Sequence, residues 1–260
     1  MGFDTPQLFA GGDDAHFMML DDTGIYEYPY ALDAPEKQMV VIDKNDTSKP
    51  LFYEAVAWSP TSGHLLLLGM ISEGGQHYVL DKNSGSVAVV PNSNGNGIKA
   101  DATWLRNGHV AAISPPFANE AGPIFTVYRP DSTPTTLALV EVSKNVLAIP
   151  GHAAPQSGYI ISAPPVQPLI DLVDFTIVGA GIASSYWTAE VGSSVAGRLN
   201  RVPENGIRNN WTTDGSGLLI EHEGNNQPWE VAFVPMQGTP RFSLTNWLGR
   251  NISHFNWVTQ

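Results

Sequence analysis

Five polar side chains recur at one place relative to an aromatic landmark. Glu54 stands four residues before Trp58, and Asp101, Arg208 and His254 stand three before Trp104, Trp211 and Trp257. His152 stands two before Ala154, which takes the tryptophan's place in a degenerate copy of the pattern. Two carboxylates beside a guanidinium and an imidazole can hold a polar small molecule or move protons. Cleavage of a glycosidic bond needs two carboxylates of that kind. If the chain is an enzyme, Glu54, Asp101 and His254 are the residues that would carry the reaction. A charged, wet lining is also the ordinary outcome wherever strands converge on an axis. The five residues are therefore read first as the lining of a ligand site or channel mouth, with no catalytic residue assigned.

Other constellations are weaker. "DKNDTS" (43–48) and "DKNSG" (81–85) alternate oxygen donors as calcium loops do, but no Glu follows at the spacing of a helix-loop-helix calcium site. Both are placed at the same hairpin of a repeat, where Asp and Asn serve turn chemistry. No cofactor is expected, and calcium is the lesser alternative. Asp13, Asp14 and His16 in "GGDDAHFMM" read as loop composition, and no HxH or HExxH spacing marks a zinc site. "GAGIAS" (179–184) lacks the third glycine of a dinucleotide loop, and no GxSxG elbow supports a serine hydrolase. Trp187 lies outside the repeated aromatic pattern and is the better candidate for an exposed, ligand-contacting ring.

The elements that position these residues repeat. "AWSPTSGHLLLLG" (57–69), "TWLRNGHVAAIS" (103–114) and "NWTTDGSGLLIEH" (210–222) share an aromatic, a polar turn and an aliphatic run. The intervals between the four landmark tryptophans are 46, 107 and 46 residues, the long one holding the copy "HAAPQSGYIISAPP" (152–165) with "YIIS" as a second strand. "HYVLDKNSGSVAVV" (77–90) reads as a hairpin, and "MVVIDKNDTSKPLFY" (39–53) fills the same slot. Four short antiparallel strands per unit are what a β-propeller blade requires. The expectation is an all-β propeller of five blades over residues 1–260, with blade starts near 52, 99, 147, 206 and 252. The start "DDAHFMMLDD" reads as a second strand lacking a first, and "SHFNWVTQ" as a first strand lacking a second. The two ends are thus expected to share one blade and close the ring. Residues 168–200 are too long for two strands and are expected to hold an insertion.

"VAWSPTSGHLLLL…HYVLDKNSGSVAVV" resembles the TolB-like, WD-type bacterial propeller repeat, in which a WSPDG-type turn precedes an aliphatic strand and then an aromatic-led strand ending in Asp. "NWTTDGSGLLI" matches its first half. The resemblance implies fold, hardly activity, and places such chains in larger exported bacterial proteins.

Composition agrees. Twenty-five Gly and 20 Pro against 13 Lys plus Arg favour turns over long charged helices. A net charge of −12 without a basic cluster disfavours nucleic acid and anionic lipid as partners. Cysteine is absent, so disulfides, thiolate nucleophiles and zinc-thiolate sites are excluded. The first residues show neither the basic nor the apolar region of a signal peptide, and no apolar run approaches a membrane span. The sequence reads as a non-enzymatic binding or assembly module for a protein or glycan partner, extracellular or periplasmic rather than cytoplasmic. The alternative is a glycosidase-like or lactonase-like hydrolase acting at the channel mouth.

Overall fold

A half-buried strand alternates apolar and polar residues, but His64-Leu65-Leu66-Leu67-Leu68 does not, which means that both faces of its sheet are covered. The computed structural model describes residues 6–31, 35–43, 45–46, 49–71, 74–93, 100–116, 122–133, 136–149, 158–163, 172–179, 182–198, 206–212, 214–224, 227–235 and 242–248. These residues form five four-stranded antiparallel sheets, each following chain order. Sheet 1 holds β1 (Gln7–Ala10), β2 (His16–Leu20), β3 (Gly24–Pro29) and β4 (Lys37–Val41). Sheet 2 holds β5 (Phe52–Trp58), β6 (His64–Ile71), β7 (Gly74–Asp81) and β8 (Val87–Val89). Sheet 3 holds β9 (Asp101–Trp104), β10 (Val110–Ser114), β11 (Ile124–Thr133) and β12 (Thr136–Val146). Sheet 4 holds β13 (Gly158–Ser162), β14 (Leu172–Gly179), β15 (Ile182–Glu190) and β16 (Gly197–Arg198). Sheet 5 holds β17 (Gly206–Trp211), β18 (Gly217–Gly224), β19 (Gln227–Pro235) and β20 (Phe242–Ser243), followed by the short helix α1 (Leu244–Leu248).

The chain divides into two compact units. The first contains sheets 1 and 2 and most of sheet 3; the second contains sheets 4 and 5. Within the first unit, alternate residues of sheet 2 go to opposite neighbours. Leu65, Leu67, Tyr78 and Leu80 pack with Met18, Leu20 and Ile25 of sheet 1. Leu66 and Val79 pack with Ala102, Trp104, Val110 and Tyr128 of sheet 3. A shift of register between Ala55 and Ala57 sets Val56 aside from the ladder and leaves it exposed.

The tryptophans lock these layers. Trp58 Nε1 donates to the Ala10 carbonyl at 2.6 Å, and Trp104 Nε1 to the Ala57 carbonyl at 2.8 Å. Each indole thereby ties the first strand of its own sheet to the first strand of the sheet before it. Gly12 makes room for this: its φ is +78°, and a Cβ there would lie 2.9 Å from the Trp58 ring. In the second unit Trp211 packs with Tyr186, Leu218, Ile220 and Val234.

Four expectations are corrected. The amino-terminal sheet does have a first strand of its own, β1, paired with β2 from Gln7 opposite Leu20 to Ala10 opposite Phe17. Sheet 1 is therefore complete from residues 7–41 without a strand borrowed from the other end. Residues 249–260, which carry Trp257 and the blade start near 252, lie outside the described residues. "YIIS" belongs to the first strand of sheet 4, so 172–198 supplies the remaining three strands and the described part contains no insertion. "MVVIDKNDTSKPLFY" runs from β4 into β5, between sheets, whereas "DKNSG" is the turn between β7 and β8.

Leu66 is fully buried between sheets 2 and 3. Leu66→Ala is expected to destabilise the chain by about 2–5 kcal/mol in urea denaturation, the range for a buried leucine that leaves a cavity.

Candidate functional site

Glu54, Leu68 and His77 lie directly opposite one another on β5, β6 and β7. Side chains opposite one another share a face, and this is the face that sends Leu66 and Val79 towards sheet 3. His77 is 3% exposed, and its Nε2 lies 3.3 Å from Asp101 Oδ1 at the start of β9. Ser93 holds the strand in place, accepting from the His77 backbone N–H at 3.0 Å and donating to the Val90 carbonyl at 2.6 Å. His77 Nδ1 has no hydrogen-bond partner among the described residues, although it is buried. Asp101 is part-exposed and also accepts from the Ala102 N–H at 2.9 Å.

The structure thus joins one expected residue, Asp101, to an imidazole that no spacing in the sequence marks, with Glu54 on the same face two strands away. A carboxylate that orients a buried imidazole is an arrangement suited to proton transfer or to gripping a polar ligand. Arg208 lies in β17 opposite Glu221, in the second unit. His152 and His254 lie outside the described residues. Trp187 is not an exposed ring: it is 5% exposed, sits opposite Phe175 and donates its Nε1 hydrogen to Ser185 Oγ at 2.9 Å. It is core of the second unit. Among the described residues Trp247 of α1 is an exposed indole, at 75%. The repeat pattern gave no reason to prefer it, because it lies beyond the last strand of its sheet.

A second cluster gathers charges scattered in sequence. Lys82 Nζ bonds the Asp13 carboxylate and, at 2.9 Å, the Gly11 carbonyl; it forms an ion pair with Glu27 Oε1 at 2.9 Å and lies 6.0 Å from the Trp58 ring centre. His16 Nδ1 is 2.9 Å from Asp13 Oδ1. The ammonium, aided by the Ala15 N–H and His16, holds the Asp13 carboxyl well below the usual range. Burial works to lower the Lys82 pKa, but its bonds to Asp13 and Glu27 outweigh that and raise it. Donor atoms of Asp13, His16 and Glu27 lie within 4.8 Å of one another, close enough to share a cation. Lys82 already supplies the positive charge to two of the three.

The oxygen-rich turns spend their donors locally. Asp81 accepts from the Asn83 N–H at 3.0 Å and Ser84 Oγ at 2.7 Å, and Gly85 completes the turn at φ +73°. Asp43 accepts from the Asn45 N–H at 2.9 Å. Asp214 is pulled down to about 2 by the Thr212 hydroxyl and then the Ser216 N–H.

No protein-family model matches the sequence, and no characterised protein matches it in sequence. Solved structures do resemble the fold. A triple mutant of AofleA from Arthrobotrys oligospora is 10% identical with a TM-score of 0.50, covering 95% of this chain and 72% of that one. Oligopeptidase B from Trypanosoma brucei is 12% identical with a TM-score of 0.58, covering 91% and 33%. TolB from Acinetobacter baumannii is 12% identical with a TM-score of 0.49, covering 92% and 52%. The chain therefore spans about half the length of TolB and a third of the oligopeptidase. With the four-stranded antiparallel sheets, the likenesses to AofleA and the oligopeptidase fit a β-propeller. They show fold alone and do not choose between a binding module and a hydrolase.

The Lys82–Glu27 contact joins sheet 2 to sheet 1 with both partners mostly buried. In a thermal-melting double-mutant cycle, Lys82→Met is expected to destabilise more than Lys82→Met made on a Glu27→Gln background. A coupling of about 0.5–3 kcal/mol is the range for groups in one network, and additive effects would show that the contact is incidental.

Proposed function

We propose that the chain is a non-enzymatic binding module: a five-bladed propeller of the TolB-like, WD-type kind within a larger exported protein, offering a surface to a protein or glycan partner. The observation that carries this reading is Trp247, a 75% exposed indole on the helix that follows β20. A large exposed aromatic ring loses little entropy when a partner covers it, and tryptophan is the side chain most enriched where binding energy concentrates. The net charge of −12 favours a neutral glycan or a basic protein surface over nucleic acid or anionic lipid. The test is a printed glycan array together with an array of basic peptides, probed with the full chain and with Trp247→Ala. Loss of about 30-fold or more in affinity for a captured ligand is expected, the size of a binding hot spot. Capture that is indifferent to Trp247→Ala overturns the reading.

The His77–Asp101 contact favours a second reading, a hydrolase acting through Glu54 and Asp101. Under the binding reading, the double variant Glu54→Ala, Asp101→Ala retains capture of the array ligand. A turnover of nitrophenyl glycosides or lactones that disappears in that double variant would promote the enzyme.

A further inference from the structure

We propose that Ser132 is an activated nucleophile with His64 as its general base, able to take an acyl group from an ester. This rests on residues other than Trp247: the surface reading can hold without it, whereas its success would end the non-enzymatic part of that reading. Ser132 stands exposed near the end of β11, and its Oγ is 2.9 Å from His64 Nε2. His64 opens β6 and is nearly buried. Its other ring nitrogen, Nδ1, is 2.6 Å from Ser62 Oγ, and Ser62 Oγ donates to Ser59 Oγ at 3.0 Å.

The direction of this chain follows from counting protons. A serine hydroxyl has one hydrogen. Ser62 gives its own to Ser59, so it can only accept from His64, and the ring proton must sit on Nδ1. Nε2 is then an acceptor, and it receives the Ser132 hydroxyl hydrogen. That is the tautomer a base needs in order to deprotonate this serine. Burial pushes the imidazole pKa down, which keeps the ring neutral and its Nε2 lone pair free to accept a proton, while Asp81 works in the opposite direction and restores part of its basicity. Asp81 lies directly opposite His64 in the β6–β7 ladder and is itself buried. Its charge favours the imidazolium that forms when the proton arrives. Thr133 Oγ1 bonds the Thr136 carbonyl at 2.9 Å and fixes the hairpin end that carries Ser132.

In the step, Ser132 Oγ forms a bond to the ester's carbonyl carbon and its proton passes to His64 Nε2. The bond from that carbon to the alcohol oxygen breaks, and the proton passes from Nε2 to the departing alcohol. Water repeats the sequence on the acyl-serine and releases a carboxylic acid. Ser62 is a positioning residue that fixes the ring's tautomer.

The experiment treats the full chain with diisopropyl fluorophosphate, in which the phosphorus–fluorine bond breaks and fluoride leaves. Labelled peptides are then mapped by mass. One label on Ser132 is expected, formed about 100-fold or more faster than in His64→Gln, the lower bound for a positioned general base. Ser132→Ala, at an exposed position, is expected to stay folded and to lose the label. Ser62→Thr keeps the acceptor oxygen and the rate, whereas Ser62→Ala slows labelling without changing the site. A p-nitrophenyl acetate burst is expected from the parent chain and from no Ser132 variant. Label spread over other exposed serines, or a rate on Ser132 that His64→Gln leaves unchanged, overturns the proposal.

Discussion

An indole packed between sheets has one hydrogen to give, and packing takes it from water unless it meets an acceptor there. Trp58 and Trp104 meet theirs on the preceding sheet, at the carbonyls of Ala10 and Ala57. This single demand sets the distance and the level at which one sheet lies against the next. The rest of the first unit follows from it. Leu65 and Leu67 can face one way and Leu66 the other only because sheet 2 is held between two neighbours at matched height. A bulge at Val56 absorbs the one residue that would spoil the alternation.

The same arrangement decides where charge can go. The chain carries 25 acidic residues against 13 basic ones, yet Lys82 is drawn inward beneath Trp58. There it binds two carboxylates and a carbonyl. A lysine half withdrawn from water is tolerable only with such compensation. The turn that carries it, between β7 and β8, is built by Asp81 capping its own backbone, so the position of the ammonium is set by backbone geometry rather than by a long side chain searching for a partner. Acidic excess therefore remains for the surface, and the scarce cation serves the frame.

What could be read in advance was the part that repeats. Trp58, Trp104 and Trp211 end the first strands of their sheets and stand opposite Leu65, Val110 and Leu218, the first apolar residues of the next strands. A landmark of that kind is visible in one dimension. Ala10 holds the same place in sheet 1, opposite Phe17, but alanine announces nothing in one dimension, so β1 is invisible where the other first strands are marked by tryptophan. "YIIS" reads as a second strand and is a first one for a related reason: a fully apolar run looks alike in any covered strand. Glu54 and Asp101 were legible because they keep a fixed offset from a tryptophan. His77 was not, since it lies on a third strand, and its partner stands 24 residues away in another sheet. Trp187 is core rather than an exposed ring because exposure depends on what packs over a ring, which neighbouring residues in sequence do not reveal.

Sheets 2 and 3 meet over an apolar centre, Leu66 and Val79 against Ala102 and Val110, with one imidazole at each margin. His64 and Asp81 lie at one end of that face, Leu68 and His77 at the other, because residues two apart on a strand point the same way. Both imidazoles reach across to sheet 3, His64 to Ser132 and His77 to Asp101. The difference lies in what each finds. A hydroxyl can yield its proton to a neutral ring, so His64 is arranged as a base with an exposed partner. A carboxylate has none to yield at neutral pH, so His77 is held by its partner rather than charged with activating it. Four residues of strand, about 13 Å at the usual rise, separate the levels of the two histidines in the β6–β7 ladder. Each therefore answers to its own local field, and the chemistry available at one margin is set independently of the other.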